Sequence, residues 1–475
     1  MTLHLTNSLS KRKEEFVPLV DGEVRMYHCG PTVYDFAHIG NFRSFLLADL
    51  LRRTMDARGY RVHQVMNITD VGHMTVDDLQ DGGEDKMAVA ARRFDGDPWK
   101  VAAHYSEAFF ADLETMNVRL AHDYPRATET IAEMIAMIET LVAKGHAYEA
   151  GGNVYFDISS FPKYGQLTGH TLDQLQAGAR IEVNEEKRHP ADFALWKHDP
   201  NHIMQWDSPW GRGFPGWHIE CSVMGMSILG ETIDIHTGGE DNRFPHHECE
   251  IAQSEAATGK TFVNYWLHGG WLFVDGEKMS KSKGNFFTVH DMIGKGHDPM
   301  ALRAALMAVH YRQQINFTLE GIEDAAKNIE RVKEMLRKIG PDADAPDRPE
   351  VAAAVAARRE EFDAGIDDDL NVPRARAAML SLVTDVNRLG TPLSAGDAAL
   401  VSEAIGAFDD ILGWRLTELG SAGTLDEEIE AKIAERNEAR ANRDFATADR
   451  IRDELAAEGI QLIDTPNGVT WKRIR

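Results

Sequence analysis

Apolar positions recur along this chain with two different periods, and the change of period divides it. Val24-Arg25-Met26-Tyr27-His28 is a short apolar run that predicts a buried strand. An apolar helix is expected over 42–55, and Arg61-Val62-His63-Gln64-Val65-Met66 reads as a second strand. Strand and helix alternate to about 115, and the same style resumes over 205–320. Between them, 116–204 reads as an inserted region with a helical run over 128–144 and several turns. From 319 the period becomes helical: Ile322, Ala325, Ala326, Ile329, Val332 and Leu336 share one face. Gly340-Pro341-Asp342 opens a loop, helices continue to about 414, and 321–420 is expected to be a helical bundle. A small module over 421–475 is expected to hold a helix pair and two strands, 460–463 and 469–471, around the hairpin signal Asn467-Gly468.

Candidate chemistry sits where the predicted strands end. Cys29 follows the first strand directly, and Cys221 lies in Gly216-Trp217-His218-Ile219-Glu220-Cys221. Pro245-His246-His247-Glu248-Cys249-Glu250 reads as a helix start, with Pro245 at the first helical position. His246 and Glu250, four apart, then share one face, while His247 and Cys249 are turned away to pack or face outward. Two thiolates, an imidazole and a carboxylate together suit tetrahedral zinc. These residues are spread over more than two hundred positions, so only a fold could gather them. A buried cysteine is more often a small hydrophobe, and spacing alone leaves both readings open.

A second pair of segments points to a nucleotide. Gly276-Glu277-Lys278-Met279-Ser280-Lys281-Ser282-Lys283-Gly284 is a lysine loop that could wrap a triphosphate. Gly30-Pro31-Thr32 through His38-Ile39-Gly40-Asn41 joins the first strand to the first helix, where a Rossmann-like half-domain meets its ligand. No GxGxxG turn follows this first strand and no GxxxxGK[ST] loop occurs, which argues against a dinucleotide fold and an ordinary P-loop NTPase.

His38-Ile39-Gly40-Asn41 and Lys278-Met279-Ser280-Lys281-Ser282 resemble the two signatures of class I aminoacyl-tRNA synthetases. Together with Cys29, Cys221, His246 and Glu250, the set is similar to the cysteinyl-tRNA synthetase family in particular. Asn67-Ile68-Thr69-Asp70, Leu175-Gln176-Ala177-Gly178-Ala179-Arg180, Asp192-Phe193-Ala194-Leu195-Trp196-Lys197 and Asp234-Ile235-His236-Thr237-Gly238-Gly239 extend the match, which runs on to Trp471. The resemblance implies an α/β fold: a Rossmann-like catalytic domain (1–115 and 205–320) with a connective domain inserted at 116–204. A tRNA-binding helical bundle and a small mixed α/β anticodon-binding module would follow.

It also implies roles. His38, Lys278 and Lys281 are expected to be catalytic, with Thr32, His38, Asn41 and Lys281 on ATP and Mg2+ accompanying the nucleotide. Thr69, Trp217, His236 and Asp241 are expected to contact the amino acid or adenylate. Cys29, Cys221, His246 and Glu250 are expected to hold one zinc ion, to which the sulfur of L-cysteine is added. That would reject serine better than shape can, since near-isosteres differ by only ~10- to 200-fold in an apolar pocket. The class I signature commonly ends in histidine, and Asn41 departs from it. Arg436, Arg440, Arg443, Arg450 and Arg452 could meet phosphates of tRNA(Cys), and Trp471 could stack a base. Beside so many glutamates, they could equally be a solvated helix face.

Composition changes little. The 475 residues are 43% hydrophobic, and no apolar stretch approaches the ~20 residues of a membrane span. Three cysteines and a start unlike a signal peptide lead to the expectation of a reducing cytoplasm, and a monomer is the simplest assembly. The net charge of −25 does not exclude nucleic acid, because local patches make phosphate contacts. Two competitors remain: a homologous ligase passing cysteine to an aminosugar, and a non-catalytic relative. The long stretch after 320 speaks against the first, and intact His38 with the full lysine loop against the second.

Overall fold

A computed structural model describes residues 2–76, 82–169, 186–279, 284–342, 344–419, 431–437, 439–440, 444–457, 460–465 and 468–473. Its centre is a parallel sheet of β1 (Glu23–His28), β2 (Arg61–Met66), β3 (Ile233–Gly239) and β4 (Val263–Gly269), in the order β4-β3-β1-β2. The chain passes from β1 through α1 (Ile39–Ala57) to β2. It returns from the insertion through α2 (Trp217–Leu229) to β3, and through α3 (Glu248–Thr258) to β4. Progress across the sheet thus reverses between β1 and β3, which opens a crevice at their carboxyl ends. Register places Met26, Tyr27 and His28 beside Ile235, His236 and Thr237, so Cys29 and Gly238 emerge side by side. Both faces of the sheet are covered, which is why its strands read as continuous apolar runs.

The exposed edge of β4 is closed by an N-terminal hairpin, His4–Asn7 paired with Arg12–Glu15. The Asn7 side chain accepts from Trp266 N at 3.1 Å and donates to Asn264 O at 2.8 Å, imitating a neighbouring strand. The insertion carries its own antiparallel sheet of Ala147–Ala150, Asn153–Phe156 and Phe193–Lys197, flanked by helix Ile131–Ala143. Its fourth strand is Phe214–Pro215, past the 204 boundary drawn from the sequence.

After β4, strand Leu272–Val274 pairs with Glu277–Lys278 and Ile315–Phe317, forming a platform for the start of the lysine loop. The bundle follows as α4 (Leu319–Lys338), α5 (Pro349–Ile366), α6 (Val372–Leu389) and α7 (Ala395–Leu412). On α4, Ile322, Ala325, Ile329, Val332 and Leu336 are buried, as the helical period requires. A buried ionic node fastens α1 to the end of α7. Asp49 is paired with Arg303 and with Arg53 (2.8 Å), Arg303 Nε donates to Leu412 O (2.8 Å), and Arg53 donates to Asp410 O (3.1 Å). Gly413 is needed there, because a Cβ would stand 2.8 Å from Arg303 Nη2 and its φ is +66°. In the terminal module, strand Ile460–Thr465 pairs with Gly468–Arg473 over a small core of Ile433, Ile451 and Leu455. Asn467 lies outside the described residues.

Candidate active site and metal centre

Cys29 leaves β1 at the crevice, Cys221 sits inside α2, and Glu250 lies in the first turn of α3. With His246 they bring four ligand atoms within 4.8 Å of one another, all buried. His246 Nε2 is 3.2 Å from Glu250 Oε1, and Cys29 Sγ donates to the same oxygen at 3.8 Å. Burial, Cys221 and Glu250 push the Cys29 thiol well up. For Cys221, the hydrogen bond from Cys29 pulls down, but burial and Glu250 outweigh it and the thiol is raised. Burial lowers His246 to about 3, so its ring is neutral and keeps a lone pair to give. Two thiolates held next to a buried carboxylate are costly unless a cation joins them. The donor set therefore fits zinc.

The regular part of α3 begins at Glu248, and the helical backbone leading into it opens at Pro245, as expected. The kink before it is at Phe244, which is extended (φ −144°, ψ 133°) and joined to Pro245 by a cis peptide. His247 stands three positions before Glu250 and so shares its side of the helix, with Nε2 3.9 Å from Glu250 Oε1. His247 is fully buried with Nε2 3.2 Å from Cys29 Sγ, which corrects the expectation that it turns aside. With Cys29, His236 and Glu250 it makes a second close four-residue group. Cys249 does pack away, 3.4 Å from the Tyr164 hydroxyl.

A ring of imidazoles surrounds the cluster. His218 Nδ1 lies 2.9 Å from His246 Nδ1, His236 Nε2 is 3.1 Å from Glu250 Oε2, and His247 Nδ1 meets His268 Nε2 at 2.8 Å. Sequence reasoning missed His218 and His268. His218 stands three positions before Cys221, hence on the same face of α2, and His268 ends β4. His236 is fully buried against Trp266, with ring centroids 4.6 Å apart, so it stands behind the cluster. Trp217, half-buried at the start of α2, lays its ring 4.4 Å from that of His246. Thr69 is buried, donates to Glu220 Oε2 at 3.0 Å, and bridges Thr32 through the backbone. Asp241 is exposed in the turn after β3, its carboxylate folded over Gly239 where a Cβ would come within 2.2 Å.

The nucleotide segments meet as well. His38 caps α1: its Nδ1 accepts from Asn41 N (3.0 Å), and Asn41 Oδ1 accepts from His38 N (3.1 Å). Gly40 lets the lysine segment approach, since a Cβ there would sit 2.8 Å from Met279 Cε. Phe286 stands edge-on to the His38 ring at 5.2 Å. Lys278 is exposed, with Nζ 5.4 Å above the Trp271 ring. Lys281 and 175–180 lie outside the described residues.

Comparison with known proteins agrees with this arrangement. Residues 15–327 match the class I (C) tRNA synthetase catalytic domain, 361–417 a DALR domain, and 422–471 the cysteinyl-tRNA ligase anticodon binding domain. A cysteine–tRNA ligase of Geobacillus thermodenitrificans is 45% identical over 99% of both chains. One from Salinibacter ruber is 44% identical over 99% of this chain and 98% of its own. The chain belongs to the cysteine–tRNA ligase family. Its fold is that of class I synthetases: Mycobacterium tuberculosis methionyl-tRNA synthetase with methionyl-adenylate gives a TM-score of 0.60 at 14% identity, over 86% of this chain and 94% of that one. A leucyl synthetase of Agrobacterium radiobacter in a ternary complex gives 0.58 at 13%, over 85% and 86%.

Within the family's anticodon-binding module, Arg450 and Arg452 are tied to neighbouring acids. Arg450 pairs with Glu454 at 2.6 Å, and Arg452 with Asp449 and Asp453, both at 3.0 Å. Arg436 is buried and Arg440 exposed. Arg443 and the Trp471 side chain lie outside the described residues. No described helix is long and apolar enough to cross a membrane.

Proposed function

We propose that the protein activates L-cysteine with ATP and transfers it to the 3′-terminal adenosine of tRNA(Cys), with zinc held by Cys29, Cys221, His246 and Glu250. The observation that carries this reading is the convergence of those four side chains within 4.8 Å beneath Trp217, in the crevice that His38 also borders. Zinc bound there would supply a soft Lewis acid for the substrate thiolate, for which the hydroxyl of serine is a poorer ligand.

The chain's own residues account for the rest. Attack of the substrate carboxylate on the α-phosphorus, expelling pyrophosphate, needs no protein nucleophile; positioning and charge suffice. The Asn41 N–H points into His38 Nδ1, so the ring proton sits on Nε2 and is offered to a phosphate oxygen. Lys278 and Lys281 neutralise the β- and γ-phosphates, and Mg2+ accompanies the nucleotide. Asn41 acts through His38, holding its ring by a two-way cap. Trp217 walls the amino-acid side, Thr69 shapes its floor, and Asp241 lies at the opening. His236 acts behind the site, orienting the Glu250 carboxylate. We take the working form to be a monomer, in a reducing cytoplasm that suits three cysteines joined by no disulfide.

The test is transfer of labelled cysteine to total tRNA, with ATP and Mg2+, with and without a zinc chelator. Cysteine-specific charging that is lost on metal removal is expected. Pyrophosphate exchange without charging would overturn the tRNA assignment, and charging indifferent to the chelator would overturn the zinc assignment.

A further inference from the structure

Two cavities outside the metal and nucleotide sites share a floor. One, about 540 Å³, opens beside Asp368 and Asn371; the other, about 430 Å³, ends at His268, Gly270 and Trp271. Thr6, Lys11 and Arg312 line both, so together they form one groove beneath the N-terminal hairpin. Its inner end adjoins the candidate active site: His268 is bonded to His247 (2.8 Å), and His247 lies 3.2 Å from Cys29.

Among the other charged groups lining this groove, Lys13 is paired with Asp368 and Arg243 with Glu240 (3.1 Å), which leaves Lys11 and Arg312 for a ligand. Its buried acid, Asp369, already accepts from Thr6 N (2.8 Å), Thr6 Oγ1 (2.6 Å) and the Tyr311 hydroxyl (2.7 Å). Arg312 reaches it only at 3.4 Å and leaves 51% of its side chain exposed. Lys11, at the hairpin tip with φ +60°, has no carboxylate partner among the described residues, and its Nζ lies beside Gly169. Trp271, 40% exposed, presents an indole at the inner end. Cations spaced along a groove that finishes on an aromatic ring suit single-stranded nucleic acid, the cations following phosphates and the ring a base.

We propose that this groove guides the single-stranded 3′ end of the tRNA into the active site, with Lys11 and Arg312 contacting its phosphates. The inference rests on the tRNA-charging reading above and adds the path by which the acceptor strand enters. Lys11 touches neither the metal cluster nor the nucleotide segments, so Lys11→Glu separates the two half-reactions.

Three measurements on the full chain decide it: cysteine-dependent ATP–pyrophosphate exchange without tRNA, charging kcat/KM, and affinity for tRNA with and without its unpaired 3′ nucleotides. For Lys11→Glu, exchange is expected within about twofold of the parent, charging lower by about tenfold, and the salt slope of tRNA binding shallower by about 1. Lys11→Arg should restore charging, and the truncated tRNA should bind parent and Lys11→Glu alike. Unchanged charging by Lys11→Glu would overturn the proposal, as would truncated tRNA weakened as much as the full-length molecule. A parent protein that exchanges pyrophosphate but charges no tRNA would instead overturn the reading on which it rests.

Discussion

His247 Nε2 lies 3.2 Å from Cys29 Sγ, while its Nδ1 meets His268 Nε2 at 2.8 Å, so one buried ring ties a candidate zinc ligand to the carboxyl end of β4. Such partners orient ligands without binding the metal, and their loss typically weakens metal affinity about 10- to 100-fold. His247→Ala is therefore expected to keep the fold by circular dichroism and to lose zinc to a competing chelator at about 10- to 100-fold lower chelator concentration. Unchanged zinc affinity would show that the contact is packing alone.

Cys221→Ser removes one of two thiols from a cluster of four buried side chains at the crevice. Zinc content should fall from one per chain toward zero, with cysteine-dependent pyrophosphate exchange falling alongside. Atomic absorption and exchange on the same preparation make the comparison. Full zinc with undiminished rejection of serine would mean that the four residues are not the selecting centre.

Asn41 and His38 satisfy each other's backbone N–H groups at the start of α1. Removing one half of a helix cap costs about 1 kcal/mol. Asn41→Ala should lower stability by that amount and reduce kcat for exchange, because the His38 ring loses its anchor, while KM for cysteine changes little. Asn41→Asp keeps the oxygen that accepts from His38 N and should recover most of the stability. Denaturant unfolding and exchange kinetics together check both halves.

Asp49 is shared by Arg303 and Arg53 in a node with almost no solvent contact. Breaking a buried ion pair by deleting one partner costs roughly 3–5 kcal/mol, since the remaining charges lose their compensation. Asp49→Ala should lower the unfolding free energy on that scale. A loss below about 1 kcal/mol, the range of exposed pairs, would mean that the node is hydrated in solution.

Burial raises the Asp112 carboxyl to about 6, the charge of His290 opposing only in part. An acid raised in the folded state holds its proton there more firmly than in the unfolded chain. Stability is then unaffected below the ordinary value of 3.8, declines as pH rises from there to about 6, and stays reduced above it. Asp112→Asn should therefore stabilise by about 1–2 kcal/mol at pH 8 and by much less at pH 4.5. Equal gains at both pH values would show that the carboxyl is not the cause.

Local pattern was enough for β1, β2 and α4, whose apolar spacing survives in the fold because each buries the face that its period defines. The two signatures, and Cys29, Cys221, His246 and Glu250 as candidates, were picked out by residue type, order and the family resemblance they carry, and the fold brings those four together. The burial of His247 was not picked out, because its partners Cys29 and His268 come from the ends of β1 and β4, although its spacing of three from Glu250 already put both on one side of the helix. His218 and His268 also gained their places by packing, from elements far apart in sequence. The groove at Lys11 exists only where the first residues close the β4 edge next to the loop carrying Arg312. Sequence fixes which donors and periods are available, since these are properties of residues and short spacings. Which side chains meet is decided by strand order and element ends, where contacts hundreds of residues apart outweigh local preference.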